Sequence, residues 1–172
     1  METYLWYENT NELCNDLADE FDLPLKTVVG IVVNLSAQTK WEVNMLQARQ
    51  FLLGQDLTGL HSIQQLNGCD KIKAGVDPLQ LWGRTAFKYR NFYKSILLMD
   101  GAVCIDSHMI NLYLSKHPTS LLHKKTKSQI FASSKYYSII ANWVRKLAMQ
   151  EGYKTFQMQA KLWCEYRGKN GR

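Results

Sequence analysis

Asp106, Lys88 and His108 carry the side chains of this chain whose types and spacing suit bond-breaking chemistry. Asp106 follows the apolar run Val103-Cys104-Ile105 and precedes Met109, Ile110, Leu112 and Tyr113, so it stands at the start of a helix beginning near Asp106 or Ser107. A carboxylate there caps the helix by accepting backbone N–H bonds. Beside a pocket, the same carboxylate stabilises positive charge that develops in a transition state, or orients an attacking water. Lys88 lies 18 residues ahead of Asp106, between Phe87 and Tyr89. An amine in a partly desolvated pocket loses its proton readily enough to attack an electrophilic carbon and form a Schiff base. On a surface it is one more snorkelling cation beside Arg84, Arg90 and Lys94. His108 is a secondary candidate, as an acid or base near neutral pH or as a residue that orients the Asp106 segment.

Charge divides the chain. Residues 1–86 hold 6 Lys/Arg and 11 Asp/Glu, and residues 87–172 hold 15 and 4, so the whole-chain net of +6 conceals an acidic half and a basic half. The basic half suits a phosphate backbone. Its Lys124, Lys125 and Lys127 fall in a polar segment from His117 to Ser128 that reads as a loop or a phosphate-contacting connector. Gln38 and Lys40 sit in and just after a short polar turn, where an amide bonds either nearby backbone or an exposed base edge. Tyr136-Tyr137, near Lys135, are open between core packing and stacking on bases, whereas Trp143 and Trp163 have core spacing.

The elements that must position these residues have the helical period. Asn9 with Glu12 resembles a capping box ahead of Leu13, Leu17 and Phe21. Pro24 opens a helix through Val28–Leu35 that is apolar around most of its circumference, the expected central buried helix; its β-branched run also fits a strand, but no second strong strand is present to pair with it. Trp41, Met45, Ala48 and Leu52 mark another helix, stopped at Gly54, and residues 55–83 suit short helices between turns. Stripes from Tyr89 to Leu97, from Met109 to Tyr113, from Phe131 to Leu147 and from Phe156 to Trp163 complete an all-α chain of about eight helices. With 46% hydrophobic residues, it can bury a substantial core. No apolar run approaches membrane-span length, the N-terminus lacks the basic cluster of a signal peptide, and Cys14, Cys69, Cys104 and Cys164 form no metal-binding spacing. The expectation is a monomer without metal or cofactor, in the cytoplasm.

Leu35-Ser36-Ala37-Gln38-Thr39, Gly83-Arg84-Thr85-Ala86 with Lys88, and Ile105-Asp106-Ser107-His108 occur in the order seen in helix-hairpin-helix DNA glycosylases, and the chain resembles the endonuclease III branch of that superfamily. It is also similar to small phage proteins related to the superfamily, through Asn34–Trp41, the segment from Phe87 to Tyr93 and the late Gln159-Ala160-Lys161-Leu162-Trp163. The resemblance spans about residues 25–166. It implies two small helical lobes, 25–114 and 1–24 with 115–166, within one unit of residues 1–172; the residues of 167–172 themselves read as a flexible tail. It implies duplex DNA as partner, Gln38 filling the opened duplex, Lys88 as Schiff-base nucleophile and Asp106 as the shared carboxylate. DNA contacts would come from Gln38, Lys40, Arg84, Arg90, Lys94, Lys124, Lys125 and Lys127. The chain departs from the family where Asp77-Pro78-Leu79-Gln80-Leu81-Trp82-Gly83 retains one glycine of the usual hairpin, and it lacks the four-cysteine cluster site. Three functions follow as expectations: a glycosylase with lyase activity, a non-catalytic DNA-binding protein on the same scaffold, or a phage protein that binds a phage or host partner in the host cytoplasm.

Overall fold

A computed structural model of the chain describes residues 2–37, 39–59 and 61–168. Among these residues all regular structure is helical, with no strand. The order is a 3-10 turn at Thr3–Leu5, then α1 (Trp6–Glu20), α2 (Leu25–Leu35), α3 (Trp41–Leu52), α4 (Ile63–Lys73), α5 (Pro78–Leu81), α6 (Phe87–Ile96) and α7 (Ser107–Lys116), a second 3-10 turn at Leu121–Lys124, and α8 (Lys127–Ala132), α9 (Ser134–Glu151) and α10 (Thr155–Arg167). The all-α expectation holds, with ten α-helices among the described residues where about eight were expected. One addition is α8, in and after the segment read as a connector. Thr126 and Gln129 close a reciprocal capping box at its start, the Thr126 hydroxyl accepting the Gln129 N–H at 3.2 Å and the Gln129 Oε1 accepting the Thr126 N–H at 3.0 Å. Asn9 does not cap α1, which already begins at Trp6.

The chain separates into two compact units, one of residues 10–83 and one of residues 1–9 with 84–172. This boundary differs from the expected lobes: it puts Lys88 and Asp106 together with the C-terminal helices and leaves residues 25–83 in the other unit. The expected division followed the family; in the fold, α7 packs on α9 and α10 and α6 packs on α8, which draws residues 87–116 to the C-terminal helices.

In the unit of residues 10–83, α2 packs on α3 and α4, and Val28 to Leu35 are all buried. The β-branched run therefore serves as the central helix, where packing outweighs its modest helix propensity. Its one polar residue in that run, Asn34, is fully used. Its Nδ2 donates to the Gln65 carbonyl at 2.7 Å and contacts Cys69 Sγ at 3.3 Å, and its Oδ1 accepts from the Trp82 indole at 3.0 Å. Gly30 is required by close approach, since a Cβ there would lie 2.6 Å from Pro78 Cγ and 3.0 Å from Ile72 Cγ2. The proline ring cannot rotate aside. Gly30→Ala therefore sets an overpacking cost of about 1–3 kcal/mol against a helix-propensity gain of about 1 kcal/mol. The expected result is a lower urea midpoint for Gly30→Ala than for the parent chain.

In the other unit, the core gathers Val103 and Ile105, Met109, Ile110, Leu112 and Tyr113 of α7, Ile130 of α8, Tyr137, Ile140, Ala141, Val144 and Ala148 of α9, and Met158 of α10. Gly152, at φ 75°, ends α9 in the left-handed conformation that glycine adopts at little cost, and α10 follows three residues later. Among the described residues no helix is long and apolar enough to cross a membrane.

Candidate functional site

Residues 102–105 form a buried, non-helical segment that delivers the chain to the N-terminus of α7. The hydroxyl of Tyr137, itself buried in α9, holds this segment from below: it accepts the Ile105 N–H at 3.0 Å and donates to the Val103 carbonyl at 2.9 Å. Desolvation pushes the Tyr137 phenol well above its ordinary range, so it stays a neutral donor and acceptor. Tyr137 is thus a core residue, which settles the alternative that it stacks on bases. Its ring lies 5.4 Å from that of Phe87, the residue before Lys88, so one side chain supports both the start of α6 and the approach to α7. Tyr136 is half-buried and lies under the Lys125 ammonium at 5.2 Å.

Asp106 is the N-cap of α7. Its Oδ1 accepts the backbone N–H groups of His108 and Met109, both at 2.9 Å, and its Oδ2 accepts the indole N–H of Trp163 at 2.9 Å. The capping reading is therefore correct, and it is not the whole account. A carboxylate offers about four acceptor positions, and the described residues fill three of them. The group is rigidly oriented and keeps one place for a further donor or a nearby cation.

Lys88 occupies the first turn of α6 with an exposed side chain. Its carbonyl accepts a long contact, 3.9 Å, from the Cys104 thiol. Burial pushes that thiol up to about 12; the Lys88 ammonium pulls it back, the Asp106 carboxylate pushes it further, and the Tyr7 hydroxyl pulls it back. The thiol is inert as a nucleophile at neutral pH. Its contact with the Lys88 carbonyl brings the first turn of α6 against the segment that leads into Asp106, two residues after Cys104. Tyr7 belongs to the same neighbourhood. Burial raises its phenol well above the ordinary range, with the Cys104 and Asp106 charges acting in the same direction, and its hydroxyl donates to Gln159 Oε1 at 2.5 Å.

His108 faces the Arg167 guanidinium, with Nη1 to Nε2 at 3.0 Å. A guanidinium only donates, so Nε2 is the acceptor in this contact. His108 in this arrangement is held against Arg167 and orients the segment. Trp6, Phe92 and Trp163 form a partly exposed aromatic wall beside Asp106, with Trp6 stacked on Phe92 at 6.2 Å and 6.0 Å from Trp163.

The basic candidates divide between the two units. Arg84, Lys124 and Lys127 are exposed, and Arg90, Lys94 and Lys125 half-buried, all in the unit that holds Lys88 and Asp106. That unit carries 16 Lys/Arg and 6 Asp/Glu, and the other carries 5 and 9, so the charge asymmetry of the sequence coincides with the structural division. Lys40 belongs to the acidic unit, where it lines a cleft of about 480 Å³ together with Ala37, Thr39, Val43, Gln47, Gly59 and Gln65. Neither Lys88 nor Asp106 lines that cleft. Gln38 lies outside the described residues.

The sequence gives Trp163 core spacing, leaves Tyr137 open between core and base stacking, and assigns no site role to Gln159 or Arg167, yet all four meet at the candidate site. The signal for two of them was the four-residue spacing of Gln159 and Trp163, which puts both on one face of α10. Among the described residues no three His, Cys, Asp or Glu side chains lie together as a metal site, and all four cysteines are buried and unpaired.

No curated protein matches the chain, and no solved structure does. A family of unknown function, DUF7178, matches it over residues 1–170, and the chain belongs to that family.

Proposed function

We propose that this protein is a DNA glycosylase-like base-excision protein. Asp106 is its fixed carboxylate and Lys88 the amine that attacks C1′. The observation that carries this reading is the Cys104 contact with the Lys88 carbonyl, which joins the turn bearing Lys88 to the segment ending in Asp106, within a unit of 16 Lys/Arg and 6 Asp/Glu. A carboxylate held by three N–H donors cannot swing away, so its negative charge stays fixed beside the deoxyribose as the bond to the base weakens and positive charge grows on C1′ and the ring oxygen. The Lys88 nitrogen, once deprotonated, forms a bond to C1′. The base leaves with the electron pair of the glycosidic bond and takes up a proton, and opening of the sugar ring leaves the Schiff base. Because Lys88 is exposed in the free protein, its desolvation comes from the docked duplex and the extruded nucleotide.

The exposure of Lys88 also favours a second reading, a DNA-binding protein on the same scaffold in which Lys88 contacts phosphate. Borohydride trapping on duplex DNA with an abasic site separates the two. Base excision with lyase chemistry gives a covalent adduct that survives denaturation. Salt-dependent duplex binding without any adduct ends the Schiff-base assignment and leaves the binding reading.

A further inference from the structure

Three polar side chains of α10 recur every four residues, Gln159, Trp163 and Arg167, and each reaches a different group of the candidate site. Gln159 Oε1 accepts the Tyr7 hydroxyl at 2.5 Å, Trp163 Nε1 donates to Asp106 Oδ2 at 2.9 Å, and Arg167 Nη1 meets His108 Nε2 at 3.0 Å. Spacing of four residues stacks side chains along one helical face, so these are successive rungs of one ladder. The rungs also brace each other, since the Arg167 guanidinium lies 5.2 Å over the Trp163 ring. Gln159 is 4 % exposed, and its carboxamide oxygen is used far from any bulk water.

We infer that Gln159, Trp163 and Arg167 are positioning residues: α10 is the device that fixes the orientation of Asp106 and His108, and Trp163 is its central rung. This rests on the reading of Asp106 as the site carboxylate. The cap alone leaves a freedom that the ladder removes. Two backbone N–H groups hold Oδ1, and a carboxylate attached at one oxygen still rotates about χ2; the indole N–H on Oδ2 fixes the plane. The same contact explains the late Gln-Ala-x-x-Trp pattern of the sequence. Ala160, which follows the first of these rungs, is buried at 2 % exposure.

The test has two arms on the full-length chain. In the first, Asp106→Asn is made in uniformly nitrogen-15-labelled protein. Asparagine has one acceptor oxygen, so it cannot serve the two cap N–H groups and the indole together. The Trp163 indole N–H signal, assigned by its loss in Trp163→Phe, shifts and exchanges faster with solvent, while those of Trp41, Trp82 and Trp143 stay in place. In the second arm, Trp163→Phe keeps a ring and removes only the donor. Single-turnover trapping on abasic duplex slows by about tenfold to a hundredfold at saturating DNA, with affinity within about twofold of the parent, the signature of lost orientation. A Trp163 signal indifferent to Asp106→Asn, or unchanged trapping in Trp163→Phe, overturns the ladder. If the parent chain forms no adduct, the Schiff-base assignment fails by itself, and the first arm alone decides whether α10 holds Asp106.

Discussion

Lys88→Ala abolishes the borohydride-trapped adduct on abasic duplex and leaves the protein folded. The fold is safe because the Lys88 side chain is exposed in the first turn of α6 and alanine is a strong helix former, so stability changes by no more than about 0.5 kcal/mol. The chemistry is lost because the Schiff base needs the Lys88 amine, and Cys104, the nucleophile next to it in the fold, is buried with its thiol pushed up to about 12. Lys88→Arg separates the two roles that a lysine can have. Arginine keeps the positive charge but stays protonated, so it preserves a phosphate contact and forms no Schiff base. If Lys88 acts only on phosphate, Lys88→Ala weakens duplex binding, reduces the salt slope by about one charge, and leaves any adduct intact. Trapping gels and salt-dependent titrations of the parent and both variants decide between these patterns. An adduct that persists in Lys88→Ala transfers the nucleophile to another amine and removes Lys88 from the mechanism.

What was legible in the sequence was local. Asp106 stands between an apolar triplet and a helical stripe, and those neighbours are enough to place it at the start of α7. Likewise, Gly54 and Gly152 end α3 and α9 where the periodicity stops. What was not legible was which distant side chain would meet it. The indole that binds Asp106 Oδ2 comes from 57 positions away, and nothing in the spacing of Trp163 distinguishes a ring that only packs from one whose N–H is also used. Tyr137 illustrates the same gap. Beside Lys135 and next to Tyr136 it looked as suited to a base as to a core, and only the fold shows its hydroxyl inserted between Val103 and Ile105. The division into units also escaped the family pattern, because it is set by which helices pack together, and α7 packs on α9 and α10. Charge was the exception among long-range properties. The basic and acidic halves of the chain correspond closely to the two units, since a contiguous run of 89 residues, 84–172, makes up nearly all of one of them.

Tyr137→Phe lowers the stability of the protein by about 2–4 kcal/mol and slows trapping with it. The substitution removes one oxygen and keeps the ring, so packing against Phe87 at 5.4 Å and the rest of the core is retained, and no cavity of consequence opens. The cost arises in the backbone. The Ile105 N–H loses its acceptor and the Val103 carbonyl loses a donor, in a segment where both residues are fully buried and water cannot replace either partner. Leaving a buried polar group unsatisfied costs about 1–3 kcal/mol, and two are exposed to that penalty here. Both lie within three residues of Asp106, so relaxation of the segment moves the cap and with it the carboxylate; a shift of about 1 Å is enough for a hundredfold loss of rate. Two measurements check this. Urea unfolding of Tyr137→Phe reports the stability loss, and single-turnover trapping under conditions where the variant is still fully folded reports the displacement of Asp106. Tyr136→Phe is the control, because the Tyr136 ring has its described contact with Lys125 on its face and its substitution leaves the 103–105 segment supported. A Tyr137→Phe protein as stable as the parent means that the segment holds itself without the phenol. A destabilised variant with unchanged trapping means that Asp106 is placed by its own cap and by α10 alone.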